Sequence, residues 1–185
     1  MALRTEADMA EAVARRFKNS AREVRVGNCI FDVVAYDKQQ KLFTVIECKL
    51  GGDVTSIGHA FGQISAYYAV LSALGRDFIN AFTKKVPLRY ERMMEATNEN
   101  RQLRVAFSVA LTQKACTRIE LIRSVKHLLP AVGIVRVKPD GSCRDYLRLN
   151  GKKDLKVAKA VPAIVEIIRE RSGAHDRMAS QNGNS

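Results

Sequence analysis

At 185 residues the chain is long enough for one domain with a substantial apolar core. Lysine and arginine number 31 against 19 aspartates and glutamates, and the formal charge of +12 favours a polyanionic partner, nucleic acid first. General basicity of the source proteome is the plain alternative. No apolar run is long enough to span a bilayer, and Arg4 has no apolar signal core behind it. The four cysteines lack C-x-x-C spacing, which argues against a structural zinc site and for reduced thiols in a cytoplasmic protein.

Residues 5–18 carry a helical pattern, with Thr5 as N-cap and Glu6 and Asp8 at the positive end of the helix dipole. Met9, Ala10, Val13 and Phe17 form its apolar stripe. Glu6, three residues before Met9, falls on that stripe, whereas Glu11 points away with Arg15 and Lys18. Residues 23–27 read as a short strand, and Gly27-Asn28 permits a turn or bulge. Residues 31–36 and 42–50 are β-branched and aromatic runs joined by a polar link over 37–41, the pattern of a hairpin.

Three charges stand out in that hairpin: Asp32 in its first strand, Glu47 and Lys49 in its second. Charges rarely enter an apolar strand unless they are paired or hold a metal. Glu47 and Lys49 are two apart and project from one strand face, and the hairpin brings Asp32 near them. Two hard carboxylates suit Mg²⁺ or Mn²⁺, and a lysine beside them can orient a nucleophile or stabilise developing charge. Phosphodiester hydrolysis is the chemistry this set predicts. Glu and Lys are also common on exposed strand faces, which is the structural alternative.

A long helix is predicted over 56–74, with Ile57, Phe61, Ile64, Tyr68, Leu71 and Leu74 as its stripe and Gly75 as its stop. Gly58 and Gly62 would let one face approach another backbone, and Gln63 and Tyr67 lie beside the stripe. The basic stretch Lys84, Lys85, Arg89 and Arg92, with a short helix over 88–96, either leans on a nucleic-acid backbone or is a solvated face. Residues 103–111 read as a strand, 118–129 as a helix, and 132–137 and 142–149 as strands around a Pro139-Asp140-Gly141 turn. A last helix is expected over 155–171 with a kink at Pro162, and 172–185 form a disordered tail beyond a single domain of 1–171.

Asp32, fourteen intervening residues and Glu47-Cys48-Lys49 resemble the D…(D/E)-x-K signature of the PD-(D/E)XK nuclease superfamily, with Phe31 where proline usually stands. The resemblance covers about residues 5–137 and implies an α/β restriction-endonuclease-like core, an α-β-β-β-α-β mixed sheet flanked by helices. The C-terminal hairpin and helix would be additions. It implies that Asp32 and Glu47 ligate Mg²⁺ or Mn²⁺ together with the Cys48 carbonyl, and that Lys49 positions water or neutralises charge. Many members complete the metal site with a glutamate on the first helix. By face that is Glu6, then Glu11, unless Glu6 serves only the helix's first turn. Gly62-Gln63-Ile64-Ser65-Ala66-Tyr67 is similar to a G-Q-x-x-x-Y pattern whose glutamine lies near the active site, so Gln63 becomes a contact to phosphate or water, or else a surface amide. His59, one turn earlier, is a phosphate contact or a bystander. The expected activity is a DNA endonuclease, DNA before RNA, working as a homodimer. The alternatives are a non-catalytic nucleic-acid-binding module of this fold, or the nuclease subunit of a larger defence, repair or transposition complex.

Overall fold

A computed structural model of the chain describes residues 3–89, 93, 103–116, 132–147 and 164–167. Helix α1 (Glu6–Ala14) opens as its sequence demands. Thr5 has extended backbone, its Oγ1 accepts from the Asp8 amide at 3.1 Å, and Asp8 Oδ2 accepts from the Thr5 amide at 2.9 Å. This reciprocal capping fixes where the helix begins, and so where Glu6 stands. The helix stops at Ala14, four residues short of the expected end. A tighter turn follows, with the amides of Arg16 and Phe17 bonded to the carbonyls of Val13 and Ala14.

Strand β1 (Ser20–Val26) starts earlier than predicted, and the Gly27-Asn28 turn, with Gly27 at φ +56°, leads into β2 (Cys29–Asp37). β2 and β3 (Leu42–Lys49) form the expected antiparallel hairpin. At its tip Asp37 Oδ1 accepts from the amides of Gln39 and Gln40, at 2.8 and 3.1 Å.

Helix α2 (Val54–Thr83) corrects three expectations. It runs through Gly75 to Thr83 and only breaks locally at Leu74 (φ −121°, ψ 33°). Its buried side is set by Ala60 and Tyr67 before that break and by Gly75 and Phe82 after it, one residue later than a seven-residue step would give. Tyr68 and Leu74, placed on the stripe from the sequence, are 47% and 39% exposed, and Tyr67 is buried instead. The helix continues because Phe78 and Phe82 have partners: Phe78 meets Phe31 at 5.3 Å, and Phe43 meets Phe78 at 5.2 Å and Phe82 at 5.5 Å. Full burial of such a ring contributes roughly 1.5–3 kcal/mol, more than glycine costs inside a helix. Gly58 and Gly62 face open space, so the close backbone approach expected of them is absent.

Strand β4 (Leu103–Thr112), the short helix α3 (Gln113–Cys116), β5 (Val132–Val137) and β6 (Cys143–Leu147) follow, with β5 and β6 joined through a turn whose Gly141 has φ +83°. The molecule is thus a mixed α/β sheet flanked by helices, in the order β1-β2-β3-β4-β5-β6. β3, β4 and β5 are parallel, and the remaining neighbours on this path are antiparallel. The described part of the last predicted helix is instead strand β7 (Ile164–Ile167), antiparallel to residues 103–106 of β4. β3 holds one edge of β4, so β7 and β5 share the other. β-branched Ile164, Val165 and Ile167, just past Pro162, favour extended backbone, and the start of β4 offers the open hydrogen-bonding edge. The predicted helices over 88–96 (apart from its residues 88, 89 and 93) and 118–129, and the tail 172–185, lie outside the described residues.

The sheet is packed on both faces. On one, α2 covers Val24, Phe31, Phe43, Val45, Phe107 and Val109. On the other, Met9, Ala10 and Val13 of α1 meet Val33, Ile46, Cys48, Ala110 and Val135. Among the described residues no helix is long and apolar enough to cross a membrane.

Candidate metal centre

The strands themselves aim Asp32. In β2, Phe31, Val34 and Tyr36 pack on the α2 side while Val33 packs on the α1 side, so the usual alternation slips between Phe31 and Val34. Across from it in β1, Glu23 sits at φ +52°, and the pairing steps from Arg22↔Val33 to Val24↔Phe31 without joining Glu23 and Asp32. Irregularities of this kind re-aim a side chain. Asp32 Oδ2 here accepts from the Cys48 amide of β3 at 2.8 Å, which ties the two strands together at the carboxyl end of β3.

Glu47 is fully buried on the α2 side. Tyr67 donates to its Oε2, and the same hydroxyl lies 2.9 Å from the Ile30 carbonyl. Two oxygens therefore compete for one phenolic proton. Glu47 Oε1 is buried with no hydrogen-bond donor in bonding geometry, although Lys49 Nζ stands 3.1 Å away as an ion pair. Lys49 Nζ is also 3.3 Å from Glu6 Oε2, and the Leu50 amide donates to Glu6 Oε1 at 3.4 Å. Glu6 thus reaches the centre from the first turn of α1. Glu11 is engaged elsewhere, at 3.0 Å from both Arg15 and Arg22.

The electrostatics follow from burial and crowding. Burial, then the Asp32 charge, push the Glu47 carboxyl up to about 7 against the bond from Tyr67 and the nearby Lys49 ammonium. Asp32 is also raised by burial, partly offset by the Cys48 amide. Burial alone would lower Lys49, but the Glu47 and Glu6 carboxylates outweigh it and hold the ammonium above its usual range. Tyr67 is held well above the ordinary phenol range by burial and then by Glu47, so it remains a donor.

Such a pair of carboxylates, with one buried oxygen, Glu47 Oε1, unbonded among the described residues, fits a divalent cation. Glu47 Oε1, Asp32 and the Cys48 carbonyl are the oxygen donors at hand, and Mg²⁺ commonly uses one or two carboxylates and keeps several waters. Among the described residues no group of three His, Cys, Asp or Glu side chains forms a ready-made metal cluster. The sulfur of Cys48 is turned into the α1-side core, where burial raises it well above the normal thiol range.

The structure therefore brings Asp32, Glu47, Lys49, Glu6 and the Cys48 backbone together. Gln63 is half-buried one turn before Tyr67 and outside the hydrogen bonds of the centre, and His59 is exposed. Lys85 lies past the end of α2, and its Nζ donates to the Arg22 carbonyl at 3.0 Å, away from the centre. Lys84 caps α2 beside it, Arg89 follows on the same stretch, and Arg92 lies outside the described residues. The residue whose part was missed is Tyr67. Its position seven residues after buried Ala60, with a buried acid in need of a donor, was the available signal.

No protein-family model, no curated protein and no solved structure matches the chain.

Proposed function

We propose that the chain is a metal-dependent hydrolase of nucleic-acid phosphodiester bonds, built on a restriction-endonuclease-like domain of the PD-(D/E)XK type, with DNA as its substrate. The observation that carries this reading is the convergence of Asp32, Lys49 and a fully buried Glu47 at one end of β3. Burying an acid costs several kcal/mol unless it is neutralised or paired, and perturbed acids of this kind concentrate at functional sites. The excess of basic residues supplies the matching attraction for a polyanion.

Asp32 and Glu47, with the Cys48 carbonyl, would hold Mg²⁺ or Mn²⁺. When bound, such a cation supplies Lewis acidity toward a phosphate oxygen and acidifies water. The chain's own residues do the positioning. Tyr67 pins Glu47 Oε2, which leaves Oε1 facing Lys49 and the ligand position. The Cys48 amide pins Asp32 in the same way. Lys49, held between Glu47 and Glu6, carries a full positive charge at neutral pH and sets it against the charge that develops on the phosphate. Glu6 tethers that lysine, and a carboxylate in its position can also join the metal's outer shell.

Incubation of the protein with supercoiled plasmid, linear duplex, branched DNA and single-stranded RNA, in Mg²⁺ and in Mn²⁺, tests the proposal. Cutting that needs metal and disappears in both Asp32→Ala and Lys49→Ala supports it. Variants that cut as well as the intact protein would contradict it, and so would binding without turnover on every substrate.

A further inference from the structure

At the opposite end of the sheet lies a cleft of about 600 Å³, bounded by the α1–β1 link and the tip of the β2–β3 hairpin. Its floor is a mixed stretch of the sheet, with Ile46 and Val135 beside Thr44 and Ser108, and its rim carries Arg16, Lys18 and Lys38. All three cations are exposed. Among the described residues the one acid in its lining, Asp37, is bonded through Oδ1 to the amides of its own turn. Arg104 reinforces the rim by donating to the Gln40 carbonyl at 2.8 Å. Phe17 also lines the cleft, half-buried, with the Arg16 guanidinium 5.8 Å from its ring centre. Rim charge and an aromatic face together are what single strands need. Cations follow the phosphates, and bases, which every sequence offers as flat faces, stack on rings and guanidinium planes. A recess of this size admits unpaired bases and their phosphates and is too small for a double helix.

We propose that this cleft is a second, non-catalytic binding site for single-stranded nucleic acid. It stands on residues separate from the carboxylate centre, so it holds whether or not that centre cuts. The two sites lie at opposite ends of α1: Glu6 reaches the metal centre, and Arg16, ten residues on, borders the cleft. The separation along α1 is about 15 Å.

Fluorescence anisotropy with a short labelled oligothymidine, in EDTA so that no cutting occurs, tests the site across a salt series. Lys18→Glu/Lys38→Glu should bind at least roughly ten-fold more weakly, and its log–log salt slope should shrink by about 1.4, the value for two phosphate contacts on a single strand. Arg25→Glu/Arg76→Glu, which makes the same charge change at exposed positions of β1 and α2, should bind within about two-fold of the intact protein. Phe17→Leu, which keeps apolar bulk, should weaken the oligothymidine several-fold and leave heparin binding unchanged. Equal losses in the two charge-reversal variants, or none in either, would overturn the proposal. So would parallel loss of heparin and oligothymidine with no effect of Phe17→Leu, since that describes a general polyanion surface.

Discussion

The two ends of β3 hold charge in opposite ways. At the hairpin end, Asp37, Lys38 and Lys41 are exposed, and the acid is bonded to its own turn. At the carboxyl end, Glu47 is fully buried, Asp32 is half-buried and Lys49 is wedged between two carboxylates. Solvated charge costs almost nothing, so at the first end it reports only solubility and an affinity for polyanions. Desolvated charge is expensive. A chain that keeps an acid inside its sheet, next to a second acid, has a use for it, and a cation that neutralises both is the simplest one.

Substitutions at the two ends should therefore differ in kind. The largest effect belongs to Asp32→Ala and Glu47→Ala, which remove the proposed cation ligands: metal-dependent cleavage should fall by roughly a thousand-fold or more, the scale of losing a principal source of transition-state charge stabilisation. Lys49→Ala should follow closely, and a plasmid-nicking time course reads all three.

The next effect is on stability, and its sign depends on pH. Glu47 titrates near 4.5 when unfolded and at about 7 when folded, so the metal-free folded state binds more protons between those values. Its stability should fall as pH rises from about 4.5 through about 7. Glu47→Gln abolishes that slope and should stabilise the metal-free protein at about pH 8 by up to roughly 3 kcal/mol. Urea melts at several pH values in EDTA would show this, and a stability that rises over that window would contradict it. Excess Mg²⁺ should reverse the slope for the intact protein, because the cation favours ionised Glu47, and should leave Glu47→Gln nearly unaffected.

Tyr67→Phe comes third. It strips the hydrogen bond that Tyr67 gives buried Glu47 and should cost about 1–3 kcal/mol. Because that bond lowers the Glu47 pKa, its loss should move the acid limb of the cleavage pH profile upward. At the other end, Asp37→Ala loses only solvated turn bonds and should cost less than about 1 kcal/mol with cleavage unchanged, read by the same melts and assays.

The comparison also explains what was legible in the sequence. The hairpin and its three charges were visible because a strand alternates with period two and a charge inside an apolar strand is conspicuous. The α1 cap was visible because Thr5 and Asp8 carry their own bonding logic. What failed turned on tertiary contacts. Tyr67 and Tyr68 are both near enough to the stripe of α2 to be exchanged, and Glu47, from a different element, decides between them. Gly75 looked like a stop because glycine usually is one, yet Phe31 and Phe43 draw Phe78 and Phe82 onto the sheet and carry the helix onward. Residues 164–167 are apolar enough for either a buried helix or a strand, and the open edge of β4 makes them a strand. The slip at Asp32 left no trace in the pattern, since only the packing of Phe31, Val33 and Val34 onto opposite faces reveals it.

Whether the buried pair is built for a cation is tested most directly without any substrate. Titration of Mn²⁺ into the intact protein and into Asp32→Ala, followed by electron paramagnetic resonance of the free ion, measures it. Binding by the intact protein that tightens as pH rises through about 7 and is lost in Asp32→Ala is the predicted result. Equal Mn²⁺ uptake by both proteins, or none by either, would contradict the account and leave Glu47 as a buried structural acid held by Tyr67 and Lys49.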